Sequence, residues 1–362
     1  MSVTESGQPA AATRPTGVSE RVAARLVRPA IYSRHQWRTW LAVTIVAALV
    51  PLVVTGGYGY NIAINSGLFA ILSLGFYFQF ALAGQFSFAT PAYYAIGAYT
   101  SAWVSINHGF LLGFIAAVIV TAIIGGLTKL LLARSPLIHF AIATLAFGSL
   151  VIIVLENWTS FTGGDQGKYG IPPASIFGYQ FDTQTKQYYL IAGVTLICTA
   201  LLLLFERSPA QRDLTFVRDM GLVARTSGLR ANYLQVVAFA AGAAYMGAAG
   251  SLLGATTGFV DLNSFSSAAS VSVALLVLLM VLLGGIGMVW GPIIGAVVLT
   301  VLPQVLSSWQ NYEQLIYALA ILVVILVLPG GLTSLPAEFR ARRAKLKQRR
   351  QQQVGVEQGG QP

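Results

Sequence analysis

Residues 271–283 read Val-Ser-Val-Ala-Leu-Leu-Val-Leu-Leu-Met-Val-Leu-Leu. Apolar and polar residues do not alternate here, so the segment cannot be a strand of a membrane β-barrel, which shows that alternation over roughly 10 residues. An uninterrupted apolar run of this kind in lipid must satisfy its own backbone, and a helix is the structure that does so. Working outward, the same texture recurs along the chain in blocks at 40–55, 62–82, 91–106, 111–132, 138–155, 188–205, 233–254, 269–285, 292–307 and 313–329. A helix needs about 20 residues to cross a bilayer, so the shorter blocks imply tilted or partial spans. The whole chain of 362 residues is 56% hydrophobic and only 9% charged. Soluble domains carry about 25% charged residues, so this chain lacks the polar surface that a soluble fold requires. The fold class expected is an all-α, polytopic transmembrane helical bundle of about ten spans (eight to ten), with both termini cytoplasmic.

The distribution of positive charge supports that topology. The net charge of +10 would suggest nucleic acid in a soluble protein. Here the charge is concentrated in tails and loops, as expected when cytoplasmic segments collect Lys and Arg; no nucleic-acid partner is expected. With the N-terminus inside and ten crossings, all of the 22 basic residues except Lys168 and Lys186 fall on the cytoplasmic side. The chain divides accordingly into a basic tail over 1–38, a transmembrane domain over 39–336, and a basic tail over 337–362. Both tails read as disordered, and the second could touch anionic membrane lipid. The membrane domain includes an outer loop at 156–187 and one sizeable cytoplasmic loop at 206–232. The first apolar block follows a polar, arginine-bearing stretch without a small-residue cleavage site and is expected to stay in the membrane.

Catalytic and ion-coupling chemistry find little support in the sequence. The span interiors hold essentially no ionisable residues, whereas proton- and ion-coupled transporters usually keep such groups at mid-membrane. His35, His108 and His139 are scattered without metal-ligand spacing and read as interfacial. Cys198, the one cysteine, reads as a small packing residue. Gly164-Asp165-Gln166-Gly167-Lys168-Tyr169 is a near-miss to a phosphate-binding loop. Thr162 stands where that loop needs its first glycine, and Tyr169 stands where it needs Ser or Thr. No cofactor is expected on this chain, and if ATP drives its work, partner subunits bind it.

Four segments carry more specific information. The first is Ala83-Gly84-Gln85-Phe86-Ser87-Phe88, continuing through Thr90 and Pro91 to Ile96-Gly97-Ala98-Tyr99-Thr100. The second is Thr162-Gly163-Gly164-Asp165-Gln166-Gly167, then Gly170-Ile171-Pro172. The third is Val217-Arg218-Asp219 with Ala224-Arg225-Thr226-Ser227-Gly228-Leu229, followed by a helix rich in small residues up to Gly250. The fourth is Leu283-Gly284-Gly285-Ile286-Gly287 with Trp290-Gly291-Pro292 and Gly295-Ala296. In this order, and on this pattern of spans, they resemble the permease family of branched-chain amino acid ABC importers, its LivM-like inner-membrane members above all, over about residues 60–305.

Each segment has a physical reading beside that resemblance. Gly84 and Pro91 interrupt an apolar run that also holds Gln85, Ser87 and Thr90, so the segment reads either as an unwound stretch facing a substrate path or as an ordinary cytoplasmic turn. Thr90 stands where the family often has a histidine. Gly163, Gly164, Asp165 and Lys168 form either a docking surface for a solute-binding protein or a plain glycine-rich loop. In the cytoplasmic loop, Leu214, Val217, Leu222 and Val223 could share one helical face. The resemblance implies a helix there that couples to the ATPase, carried by Asp213, Val217, Arg218, Asp219, Arg225 and Gly228. Met220-Gly221 follow where the family usually has an acidic residue, and Gly221 weakens a helix by about 1 kcal/mol relative to Ala. Gly250 with Gly254, and Gly291 with Gly295, are GxxxG pairs suited to close helix packing. Trp290 and Tyr312 fit interfacial anchors. The resemblance implies a permease of the bacterial inner membrane without enzymatic activity. Its implied partners are a second homologous permease subunit, ABC ATPase subunits and a periplasmic or lipid-anchored solute-binding protein. Its implied cargo is a branched-chain or other hydrophobic amino acid. Urea, short amides or another small solute, and a stand-alone secondary transporter, are the alternatives.

Overall fold

The computed structural model describes residues 56–176, 178–262, 264–265 and 267–306, together with Thr44. The tails, the block at 313–329 with Tyr312, and all of the block at 40–55 except Thr44 lie outside the described residues. The other eight blocks are all helices. They are α1 (Gly57–Tyr77, continued by a π-turn Phe78–Leu82), α2 (Thr90–His108), α3 (Phe110–Leu131) and α4 (Leu137–Asn157), then α6 (Gln184–Glu206), α9 (Ala231–Thr257), α10 (Ser267–Gly284) and α11 (Trp290–Leu306). Between them lie the single turn α5 (Thr159–Thr162) and the loop helices α7 (Pro209–Asp219) and α8 (Gly221–Thr226). Among the described residues, five helices are long and apolar enough to cross a membrane: α1 with its π-turn, α3, α4, α6 and α9. Shorter apolar helices occupy Val273–Gly284 and Trp290–Pro303.

The expectation of an all-helical chain needs one small correction. Among the described residues, four two-residue strands form two antiparallel pairs: β1 (Lys168–Tyr169) with β4 (Phe259–Val260), and β2 (Ser175–Ile176) with β3 (Tyr179–Gln180). The first pair joins two loops at the same end of the bundle, and the second is a short hairpin within one loop.

The bundle is greasier outside than inside. On α3, Leu112, Ile115, Ile119, Ile123, Leu127 and Leu131 are exposed, while Gly113, Ala117, Thr121, Gly125 and Thr128 are buried. Both series recur every three or four residues, so each lies along one face of the helix. The leucine and isoleucine face needs an apolar solvent, and the small-residue face lets another backbone approach. The helix on that second face is α9: a Cβ on Gly125 would touch the Ala243 methyl, and Thr121 closes on Gly247. α9 also meets α1, where a Cβ at Gly75 would stand 2.6 Å from the Gly242 carbonyl, and α2, where one at Gly97 would stand 2.5 Å from the Gly247 Cα. The most deeply enclosed large side chains, Tyr93, Tyr99, Phe76 and Phe239, come from α2, α1 and α9. α2 is less apolar than its neighbours because it carries Thr90, Tyr93, Tyr94, Tyr99, Ser101 and Ser105, all buried against protein. α2 and α3 are joined by Gly109 alone, whose φ of 85° makes the reversal. With its long apolar helices and lipid-suited outer faces, the protein is an integral membrane protein.

Candidate functional site

The first candidate segment sits where α1 ends. Its helix widens into the π-turn, with Ala83 N donating to Phe78 O (3.2 Å) and Gln85 N to Gln79 O (2.9 Å). Gly84 leaves the helix at φ 68°. After Gln85 the chain runs without helical pairing until α2 starts, with Pro91 in its first turn, where a missing N–H costs nothing. Although non-helical, this stretch is enclosed. Gln85, Ser87, Ala89, Thr90 and Pro91 are all buried. Ser87 Oγ accepts from Ala89 N, and Phe88 N donates to Thr144 Oγ1 on α4 at 3.1 Å. Neither amide atom of Gln85 has a partner among the described residues, and neither has the Thr90 hydroxyl or Gln79 Oε1. Gln79 Nε2 donates to Phe239 O on α9. Phe76, Phe80, Phe86 and Phe88 form an aromatic wall beside the segment, with centroids 4.8–6.3 Å apart. The arrangement offers uncharged donors and acceptors against apolar walls.

The loop helix α7 lies directly against this break. Leu214 and Val217 are buried, Val217 in a small cluster with Ala224, Ala231 and partly buried Phe216, Leu229 and Leu234. The apolar face does not continue to residue 223: the helix ends at Asp219, α8 restarts at Gly221, and Val223 is half exposed. This corrects the single face expected over 214–223, and the glycine that weakens a continued helix stands at the break. Arg218 Nε pairs with Asp219 Oδ1 at 2.8 Å, and its Nη1 donates to the Ala81 carbonyl freed by the π-turn. Its aliphatic stem covers Gly84, where a Cβ would stand 2.5 Å from Arg218 Cγ. Asp213 is half-buried, Arg225 lies in α8, and Gly228 takes φ 79° in open space. At the start of the loop, the Tyr77 hydroxyl donates to Glu206 Oε1 at 3.3 Å. Two of the four candidate groups thus come together: the interrupted helix and the loop helix, distant in sequence, share one contact.

The glycine-rich loop lies at the opposite end. Gly163 precedes a short 3-10 turn, Gly164–Gln166, that contains Asp165 and is closed by Gly167, and Thr162 Oγ1 accepts from Gly164 N at 3.1 Å. Lys168 is half-buried in β1, paired with Val260. Gly167 backs onto the Val260 carbonyl, and Ile171 N donates to Gly258 O. Tyr169 and Phe259 stack at 5.7 Å and stand out from the paired strands, 65% and 42% exposed. The sequence hides this pair, because its members lie ninety residues apart and no spacing rule links them.

The packing glycines divide their work. Gly250 lies against the Tyr94 carbonyl and Ala98 N of α2, whereas Gly254 faces Val260 and Ile171 of the loops. Gly291 closes on Gly284 and Gly285, and Gly295 on the Met280 carbonyl, which joins α11 to α10. Gly75, Gly97, Gly113, Gly125, Gly242 and Gly247 make contacts as close. The signal that could have found several of them is the small residue at every fourth position in 113–125. Trp290, expected as an interfacial anchor, is buried in the main hydrophobic cluster. His108 and His139 are exposed near helix ends, and no group of three metal-ligating side chains occurs among the described residues.

The permease family described as "Branched-chain amino acid transport system / permease component" matches residues 58–328. The chain is 30% identical over 319 residues to the high-affinity branched-chain amino acid transport system permease protein LivM of Salmonella typhimurium, covering 81% of this chain and 73% of that protein. It is 29% identical, with the same coverage, to the LivM permease protein of Escherichia coli K12. No solved structure matches the chain significantly. The match runs from the start of α1 past the end of α11 and takes in all four segments, and the chain belongs to the branched-chain amino acid transport system permease family.

Proposed function

We propose that this chain is the membrane-spanning permease subunit of an inner-membrane ABC importer for branched-chain or other hydrophobic amino acids. The observation that carries the reading is α7, a loop helix whose apolar face is seated in the bundle and whose last arginine rests on the interrupted end of α1. A helix in that position can receive force from a partner at the membrane surface and pass it to the spans. The family membership and the two LivM relatives point to the same role. The chain carries out no covalent chemistry; ATP binds to separate ATPase subunits.

Ten spans with both termini in the cytoplasm put α7 and α8 on the ATPase side. The same topology puts the β1–β4 pair outside, where Gly163, Gly164, Asp165 and Lys168 belong to the face that receives a periplasmic or lipid-anchored binding protein. The parity of the helices supports this arrangement: the α4–α6 and α9–α10 connections meet at one end, and the 83–89 and 207–230 connections meet at the other. Gly84, Gln85, Ser87, Thr90 and Pro91 line the solute path. The side-chain amide of Gln85 and hydroxyl of Thr90, unpartnered among the described residues and beside phenylalanines, suit a small solute that combines polar groups with an apolar side chain. A second homologous permease completes the translocator. Uptake in a strain lacking the chain, tested with labelled leucine, isoleucine, valine, urea and acetamide, decides the cargo. Restoration of leucine, isoleucine and valine uptake on re-expression is expected, and restoration of urea or acetamide alone would assign the permease to another solute.

A further inference from the structure

The segment 206–218 is tied to α1 at both of its ends. Where it leaves α6, Glu206, the last residue of that helix, accepts from the Tyr77 hydroxyl on the last helical turn of α1. At its far end, Arg218 donates to the Ala81 carbonyl in the π-turn, and its stem lies on Gly84. The two attachments bracket residues 77–84, the stretch in which α1 changes from α-helix to π-turn to open chain. Single π-turns and unwound stretches are where a helix gives way under load, since their hydrogen bonds are fewer and less well aligned. Gln85, whose side-chain amide has no partner among the described residues, follows immediately.

We propose that Arg218 is a positioning residue that transmits the motion of α7 into the unwound segment of α1, acting through Gly84 and the Ala81 carbonyl rather than through a contact with the ATPase. This deepens the importer reading and rests on it. A displacement of α7 pulls on 77–84 and moves Gln85, so docking and the solute path are joined by one side chain. Gly84 is required twice: its φ of 68° disfavours an L side chain, and its missing Cβ leaves the groove for the arginine stem. The guanidinium has no acidic partner except its neighbour Asp219 among the described residues, so its second bond is free to go to the carbonyl.

The test uses the intact importer, purified with its ATPases and permease partner, reconstituted with its binding protein and assayed with labelled leucine. The variants are Arg218→Met, Arg218→Lys, Gly84→Ala and the double variant Gly84→Ala/Arg218→Met. Leucine moved per ATP hydrolysed is measured beside the KM for leucine and the thermal stability of the purified complex. Losing a hydrogen bond from a charged donor predicts a drop of roughly ten-fold in that ratio for Arg218→Met. KM should hold, and Arg218→Lys should recover part of the loss. Gly84→Ala should show a comparable drop, and the double variant should be no worse than the poorer single one, since both remove the same contact. A double variant whose loss is the product of the single losses overturns the proposal, as does an Arg218→Met complex with the parent's ratio. If Gly84→Ala does not assemble, Arg218→Met and Arg218→Lys decide alone. A parent complex that moves leucine without hydrolysing ATP would instead refute the importer reading itself.

Discussion

Replacing Gly97 by alanine should loosen the central contact of the bundle. A Cβ at this position would stand 2.5 Å from the Gly247 Cα and carbonyl oxygen and 2.8 Å from its carbonyl carbon. Carbon atoms rest at roughly 3.5–4.0 Å, so α2 and α9 must separate by about 1 Å. All three neighbours are backbone atoms, and no side chain can swing aside. Overpacking of this kind costs about 1–3 kcal/mol. Alanine returns about 0.5–1 kcal/mol through helix propensity, which leaves a net loss of roughly 1–2 kcal/mol. Gly193 is the internal control. It is a glycine inside α6 with nothing within 4 Å of its absent Cβ, so Gly193→Ala should gain roughly 0.5–1 kcal/mol. Thermal unfolding of the detergent-purified protein, followed by tryptophan fluorescence, should place Gly97→Ala below the parent and Gly193→Ala at or above it. The opposite order would show that α2 and α9 are not in backbone contact and would refute the arrangement of small residues at the centre.

Three further outcomes follow from the same geometry. In a Cys198→Ser background, a membrane-impermeant thiol reagent applied from outside should label Gln166→Cys but not Gln211→Cys; labelling of both, or the reverse, contradicts the ten-span topology. The chain purified alone should show no stoichiometric ATP binding by isothermal titration, because Thr162 and Tyr169 stand where a phosphate-binding loop needs Gly and Ser or Thr. Removing the exposed stack with Tyr169→Ala and Phe259→Ala should weaken stimulation by the loaded binding protein several-fold, since aromatic pairs bring about 0.5–1.5 kcal/mol beyond their area; unchanged stimulation would move the docking surface elsewhere.

The spans are legible in the sequence because the bilayer leaves little choice: Val271–Leu283 or Leu111–Leu132 can satisfy its backbone in lipid as a helix. The loop helix α7 is legible in part from Leu214 and Val217, which a helix places on one side, and its end from Gly221. What remains hidden depends on neighbours distant in sequence. Arg218 reads as a surface charge of a cytoplasmic loop, yet its direction is set by the Ala81 carbonyl and the space above Gly84. The GxxxG spacing of Gly250 and Gly254 suggests one interface, but the helix end and the loop pair at Phe259–Val260 claim the second glycine. Trp290 reads as an anchor by residue type and is buried in the main hydrophobic cluster. Which helices are central is not a matter of hydropathy, since α2 is central and yet less apolar than the lipid-facing α3.

The central claim is that this chain moves hydrophobic amino acids only when other subunits hydrolyse ATP. It is tested most directly in proteoliposomes that hold the chain with its ATPases and second permease, with leucine-loaded binding protein outside. Labelled leucine should accumulate when ATP is trapped inside and should stay at background with a non-hydrolysable analogue or with an ion gradient alone. Accumulation driven by a sodium or proton gradient in liposomes that hold this chain by itself would contradict the account.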